Sequence, residues 1–137
     1  MNILFFLHPK DEVAYIYDYH TLRQAMEIME YHKYSSVPII NKNGKYVGTL
    51  TEGDLLWGLK KLNIFNLKDA EGISITTIDR RLDYKPVTAG SNMEDLLLKS
   101  MEQNFVPVVD DSQNFIGIIT RKDLISYCYS KLNEIDK

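Results

Sequence analysis

The sequence predicts a mixed α/β (α+β) fold in which two pseudo-symmetric β-α-β-β-α repeats pack together as one module. Three observations carry that prediction. First, residues 35–59 (SSVPIINKNGKYVGTLTEGDLLWGL) align without a gap on residues 104–128 (NFVPVVDDSQNFIGIITRKDLISYC) at an offset of 69, with six of 25 positions identical. Unrelated segments share about one or two, so the chain carries a duplicated supersecondary unit. Second, strand-like apolar runs and apolar residues at helical spacing follow one another in the same order in both halves. Third, one copy of about 55 to 60 residues buries too little surface to be comfortably stable alone, so the two should pack as one pseudo-symmetric unit.

In the first copy, 13–17 is rich in β-branched and aromatic residues and reads as a short strand. Thr21 is placed to cap a helix, with Gln24 completing a capping box. Leu22, Ala25, Met26 and Met29 then give that helix one apolar face. The fully apolar 37–40 reads as a strand, Asn43-Gly44 as a turn and 45–50 as the returning strand. A second helix follows over 51–62, with Leu55, Leu56 and Leu59 inward. The second copy repeats the series: a brief strand at 87–90, then Ser91 or Asn92 capping a helix that carries Met93, Leu96, Leu97 and Met101. A hairpin of 106–109 and 115–119 comes next, then a closing helix with Leu124, Cys128 and Leu132 at i, i+4 and i+8. The expected organisation is a first repeat at 1–62, a connector at 63–85 and a second repeat at 86–137.

Composition narrows the function. The 137 residues include 16 Lys+Arg against 19 Asp+Glu, for a net charge of −3. A general nucleic-acid binder usually carries a basic excess, and nothing resembles a helix-turn-helix, so no nucleic-acid partner is expected. The single cysteine, Cys128, cannot form an internal disulfide and suits a reducing compartment. The opening apolar run at 3–7 is too short for a membrane helix or a secretory segment, so a cytoplasmic location and no membrane association are expected. It reads instead as tertiary or dimer packing. His8, His20 and His32 lie twelve apart, a spacing that matches no metal motif. There is no Gly-rich phosphate loop, nucleophile elbow or plausible Ser/His/Asp set, so neither an enzyme nor a resident cofactor is expected.

The identities between the copies concentrate in two places. One is a hydrophobic-Pro-hydrophobic strand, Val37-Pro38-Ile39 and Val106-Pro107-Val108. The other is Gly-x-x-Thr-x-x-Asp-Leu, from Gly48 through Thr51 to Asp54-Leu55 and from Gly117 through Thr120 to Asp123-Leu124. A helix beginning at the threonine presents unpaired N–H groups and the positive end of its dipole, which favours a phosphate. The hydroxyl can donate to a phosphate oxygen, and the carboxylate three residues on can accept from both ribose hydroxyls. The apolar-Pro strand offers a slot for a purine face. The same Thr-x-x-Asp spacing also reads as a plain N-terminal cap, stabilising by about 0.5–2 kcal/mol with no ligand.

These motifs resemble the cystathionine-β-synthase (CBS) domain, present here as the tandem pair called a Bateman module. The resemblance implies a regulatory sensor that binds AMP, ATP or another adenosine-containing nucleotide, dinucleotide or adenosyl compound in the cleft between repeats. It also implies that the aspartates, here Asp54 and Asp123, hold ribose, and that modules associate as homodimers. With no effector domain in 137 residues, the expected output is on an unknown effector protein in trans. The alternative is a ligand-free dimeric interaction scaffold.

The copies differ beside the motif. Thr51-Glu52-Gly53-Asp54 puts a carboxylate where phosphate would sit, whereas Thr120-Arg121-Lys122-Asp123 offers two cations for charge-assisted contacts. Asn41 also stands where the second copy has Asp110. The second site is therefore expected to take the phosphorylated ligand, with Arg121 and Lys122 as a solvated face the competing reading. Arg80-Arg81 reads as solvated surface, with reach to a phosphate or an acidic partner as the alternative. Tyr15, Tyr17 and Tyr19 share a face, suited to interface packing or to stacking on a base.

Overall fold

The computed structural model describes residues 2–81 and 83–135. Met1, Leu82, Asp136 and Lys137, at the ends of the expected repeats and within the expected connector, lie outside the described residues. In chain order the elements are β1 (His8–Pro9), β2 (Ile16–Tyr17), α1 (Leu22–His32), β3 (Ser36–Ile40), β4 (Tyr46–Thr51), α2 (Glu52–Lys61), α3 (Leu67–Ala70), β5 (Val87–Thr88), α4 (Met93–Ser100), β6 (Phe105–Val109), β7 (Phe115–Thr120) and α5 (Arg121–Ile135). Two β-α-β-β-α series are thus present, β2-α1-β3-β4-α2 and β5-α4-β6-β7-α5. The chain divides into two compact units, Ala14–Asp83 and a second built from 2–13 together with 84–135.

In the Ala14–Asp83 unit, β3 lies between parallel β2 and antiparallel β4. All five β3 residues are buried, which is why the run at 37–40 is apolar without alternation. Helix α1 provides the crossover between the parallel strands, and it starts where the sequence places it. Thr21 accepts from the Gln24 N–H while the Gln24 side chain accepts from the Thr21 N–H. Leu22, Ala25 and Met29 face the core with Val37, Ile39 and Leu50. The stretch after α2 folds back onto this unit. Ala70, Ile75 and Ile78 are buried in the same core, Leu22 N–H donates to the Ile73 carbonyl at 2.8 Å, and Ile75 N–H donates to the His20 carbonyl at 3.0 Å.

The tyrosines pack on one another: Tyr17 and Tyr19 stack at 5.0 Å, and Tyr15 meets Tyr17 edge-on at 5.8 Å. His20 closes the group, its Nδ1 accepting from the Tyr17 N–H at 3.0 Å. Burial lowers the His20 pKa. The unfolded chain therefore takes up this proton near pH 6.5 while the folded chain still resists it, so stability falls as pH falls through that value. His20→Gln should flatten this part of the profile, read as urea midpoints between pH 5 and 8.

The second unit has the sheet order β1-β7-β6-β5. Its β6 is again central and wholly buried. The opening segment belongs here. Ile3 is fully buried with Val87, Leu96, Val106, Val108, Ile119 and Leu124, while Phe5 is exposed, so the apolar run splits between tertiary packing and surface. Strand β1 pairs antiparallel with β7, His8 opposite Ile118 and Pro9 opposite Gly117. That pairing covers an edge that would otherwise leave backbone groups unpaired.

The two hairpins use the same device. Asn41 Oδ1 accepts from the N–H groups of Asn43 and Lys45 at 2.9 and 3.0 Å. Asp110 Oδ1 accepts from those of Ser112 and Asn114, each at 2.9 Å. The Asn41/Asp110 difference is therefore one of two residues doing the same turn-forming work.

Candidate functional site

Each unit brings its Gly-x-x-Thr-x-x-Asp segment to a strand end and helix start, and in each a stretch of chain from outside the β-α-β-β-α series lies against the glycine and the aspartate. In the Ala14–Asp83 unit it supplies Arg80, Arg81 and Asp83. Thr51 and Asp54 form a full capping box at the head of α2: Asp54 N–H donates to Thr51 Oγ1 at 3.1 Å, and Thr51 N–H to Asp54 Oδ2 at 2.9 Å. The other oxygen, Asp54 Oδ1, accepts from the Arg81 N–H at 2.7 Å. Asp54 is 1% exposed, and both its oxygens are taken by backbone donors. Asp83 Oδ1 accepts from the Thr49 N–H at 3.0 Å and, with Oδ2, receives a two-point contact from Arg80 at 3.0 and 3.1 Å. Hydrogen bonding to Asp83 raises the Arg80 pKa against the opposing effect of burial, with the charges of Asp83, Tyr46 and Asp54 adding to it. A Cβ on Gly48 would lie 2.5 Å from Asp83 Oδ1, so this pair fills the space in front of the glycine. The Arg81 guanidinium lies over the Trp57 ring at 5.7 Å, with Lys60 also over that ring at 5.3 Å.

In the second unit the covering stretch is 7–9. Asp123 N–H donates to Thr120 Oγ1 at 3.2 Å, the first half of the same cap. Asp123 Oδ2 lies 2.6 Å from His8 Nε2, and the side chains of His8 and Asp123 are 42% and 40% exposed. A carboxylate only accepts, so Nε2 carries the hydrogen and donates. Among the described residues Asp123 Oδ1 has no partner. Gly117 has φ +154, and a Cβ there would lie 2.2 Å from the His8 carbonyl oxygen. The bare glycine is what allows β1 to run so close.

The other expected site residues divide. Val37, Ile39, Val106 and Val108 are core residues with at most 1% exposure, and Pro38 and Pro107 are buried between them, so these side chains offer no open apolar slot. Their strands instead set the position of the paired Gly-x-x-Thr edge, Ile39 opposite Gly48 and Val108 opposite Gly117. Arg121, expected beside a phosphate, donates from Nε to the carbonyls of Ser100 and Gln103 at 2.7 and 3.1 Å. It satisfies backbone acceptors at and beyond the end of α4, a helix-terminus role. Lys122 is exposed one residue before Asp123. Glu52 is exposed at the head of α2, as its charge and position lead one to expect. The residue that sequence reasoning missed is His8, weighed there only as a metal ligand. It lies 115 positions from Asp123, and no local pattern links the two. A usable signal is that 7–9 and 80–83 both precede a repeat.

A hydrophobic-Pro-hydrophobic central strand paired to a Gly-x-x-Thr-x-x-Asp edge, present twice on β-α-β-β-α frames, defines a class of duplicated small α/β domains. The family profile described as CBS domain matches residues 7–61 and 77–130. The chain belongs to the CBS-domain family. Among similar structures, CbpB in complex with c-di-AMP superposes with a TM-score of 0.82 at 25% identity, over 99% of this chain and 89% of that one. A CBS domain protein from Streptococcus pneumoniae does so at 0.83 and 25% identity, over 93% and 86%. An uncharacterised protein of Methanocaldococcus jannaschii is 27% identical over 80% of this chain and 82% of its own length. The L-aspartate semialdehyde sulfurtransferase of the same organism is 28% identical over 76% of this chain, which spans 19% of that enzyme. No helix among the described residues is long and apolar enough to cross a membrane.

Proposed function

We propose that this chain is a non-enzymatic regulatory module that binds an adenosine-containing nucleotide or dinucleotide at the Thr120/Asp123 site. Its output is then exerted on an effector protein in trans. The observation that carries this reading is the contrast between two equivalent carboxylates. Asp54 is buried with both oxygens bonded to the chain's own backbone, whereas Asp123 is part-exposed and has one oxygen without a partner among the described residues. The Asp123 carboxylate can accept from a ribose hydroxyl, Thr120 and the head of α5 can meet a phosphate, and exposed Lys122 can neutralise it. Arg121 takes no part in this reading, being held at the end of α4. The likeness to CbpB in complex with c-di-AMP supports an adenosine-type ligand.

The module works as a homodimer in this proposal. A cavity of about 510 Å3 between α1 and α2 is lined by Met26, Met29, Leu55, Leu56 and Leu59, with Glu30, Lys33 and Glu52 at its rim. A two-fold interface here would bury the apolar centre and require Glu30 or Glu52 of one copy to meet Lys33 of the other. Ligand binding acts on the effector through unequal affinity for two states, typically about 1–3 kcal/mol.

The test is a thermal-shift series with AMP, ATP and c-di-AMP on the wild type and Asp123→Ala. A ligand at one hundred times its Kd adds about 2.7 kcal/mol, a rise of several degrees. A rise in the wild type that disappears in Asp123→Ala is expected. No rise at saturating ligand in the wild type would favour the ligand-free scaffold.

A further inference from the structure

We propose that His8 is the specificity-determining residue of the second-repeat site, admitting one ribose hydroxyl to Asp123 rather than two. The site would thereby select adenosine nucleotides whose 3′-oxygen is already esterified, as in a 3′,5′-linked dinucleotide, over mononucleotides with a free cis-diol. This rests on the reading that Asp123 receives the ribose.

The inference starts from access to the two oxygens of a carboxylate. A cis-diol is gripped best when each hydroxyl donates to a different oxygen of the same carboxylate, which requires both oxygens to be approachable. At Asp123 one oxygen is covered by an imidazole 2.6 Å away. The other, Oδ1, has no partner among the described residues. The ring cannot withdraw by a shift of its backbone. His8 sits in β1, paired to Ile118, and its carbonyl oxygen lies against Gly117 so closely that a Cβ there would come within 2.2 Å. Only side-chain rotation can clear Oδ2, and that breaks a charge-assisted bond.

A ligand with two free hydroxyls therefore displaces His8, shares Oδ2 with it, or crowds both hydroxyls onto Oδ1, and each route is weaker than one hydroxyl on each of two open oxygens. A 3′,5′-linked dinucleotide has a single free hydroxyl per ribose, the 2′-OH, and its needs match what Asp123 has left. The first repeat gives the limiting case. There both oxygens of Asp54 accept from the backbone N–H groups of Thr51 and Arg81, and at 1% exposure burial closes the carboxylate to a ribose.

The experiment compares AMP with 3′-deoxy-AMP, which differ only in the disputed hydroxyl, and includes c-di-AMP. Titration calorimetry is run on the full chain as wild type, His8→Ala and His8→Asn, whose side chain is too short to reach Asp123. In the wild type 3′-deoxy-AMP should bind at least as tightly as AMP, and c-di-AMP more tightly than either. In both variants AMP should gain about tenfold relative to 3′-deoxy-AMP, the worth of one hydrogen bond to a charged group. The AMP to 3′-deoxy-AMP ratio being the same in all three proteins would overturn the role of His8 while leaving Asp123 as the ribose site. Failure of every probe to bind both wild type and variants would overturn the proposed function, and this inference with it.

Discussion

Gly117→Ala is expected to destabilise the protein by about 2–5 kcal/mol, combining backbone strain with overpacking. Gly117 has φ +154, a region that side chains with a Cβ rarely enter, and the new methyl would lie 2.2 Å from the His8 carbonyl oxygen. The obstacle is backbone held in a strand pair, so relief requires β1 to leave β7. Ile3 is buried in the same unit and would lose part of its packing as the lead-in moves. Gly48→Ala is the control. Its methyl would meet the Asp83 carboxylate and the Arg80 guanidinium, both ends of flexible side chains. A loss below about 2 kcal/mol is expected there, the ordinary range for a moderate clash. Urea unfolding of the two variants, read against the wild type, measures the difference. Equal losses would mean that β1 is not fixed at Gly117 as described.

The second large effect separates the two aspartates. Asp54→Ala should cost about 2–4 kcal/mol, because it strands the N–H groups of Thr51 and Arg81 in a buried setting. Asp123→Ala removes only half of a cap and a part-exposed contact with His8, a change worth about 1 kcal/mol or less. The effects on ligand run the other way. Binding should survive in Asp54→Ala wherever the protein remains folded, and vanish in Asp123→Ala. Denaturant midpoints and calorimetric titrations on the same two samples give both readings. The two sites look alike in sequence and are expected to exchange roles, one for folding and one for binding.

Much of the frame was legible because it rests on short-range physics. The Thr21/Gln24 box, the helical faces of Leu22, Ala25 and Met29, and the two hairpins each depend on residues within a few positions of one another. The duplication at an offset of 69 then doubled every signal. The Thr51-x-x-Asp54 spacing admits a cap as one of two readings, and in the first repeat the structure displays that cap in full.

What the sequence hid was the use of the lead-ins. Strand β1 is two residues long, and nothing in His8-Pro9 says that its partner is an edge at Gly117-Ile118, more than a hundred positions away. The same holds for Arg80, Arg81 and Asp83. Arg80-Arg81 read as solvated charge, yet Arg80 is held by Asp83 and the Arg81 N–H closes Asp54. Arg121 misled for a different reason. A cation beside Thr-x-x-Asp suggests a phosphate, but the carbonyls of Ser100 and Gln103 compete for it, and their position follows only from how α4 ends. Charge type can be read locally, whereas the partner of a charge depends on tertiary placement.

The central claim is that Asp123 is the working ribose carboxylate and Asp54 a structural one. Calorimetric titration of c-di-AMP into wild type and Asp123→Ala, at a temperature where both are folded, tests it most directly. The account predicts saturable heat in the wild type and none in Asp123→Ala, with melting midpoints of the unliganded proteins within a few degrees of each other. Undiminished binding in Asp123→Ala would contradict it and place the ligand elsewhere on the fold.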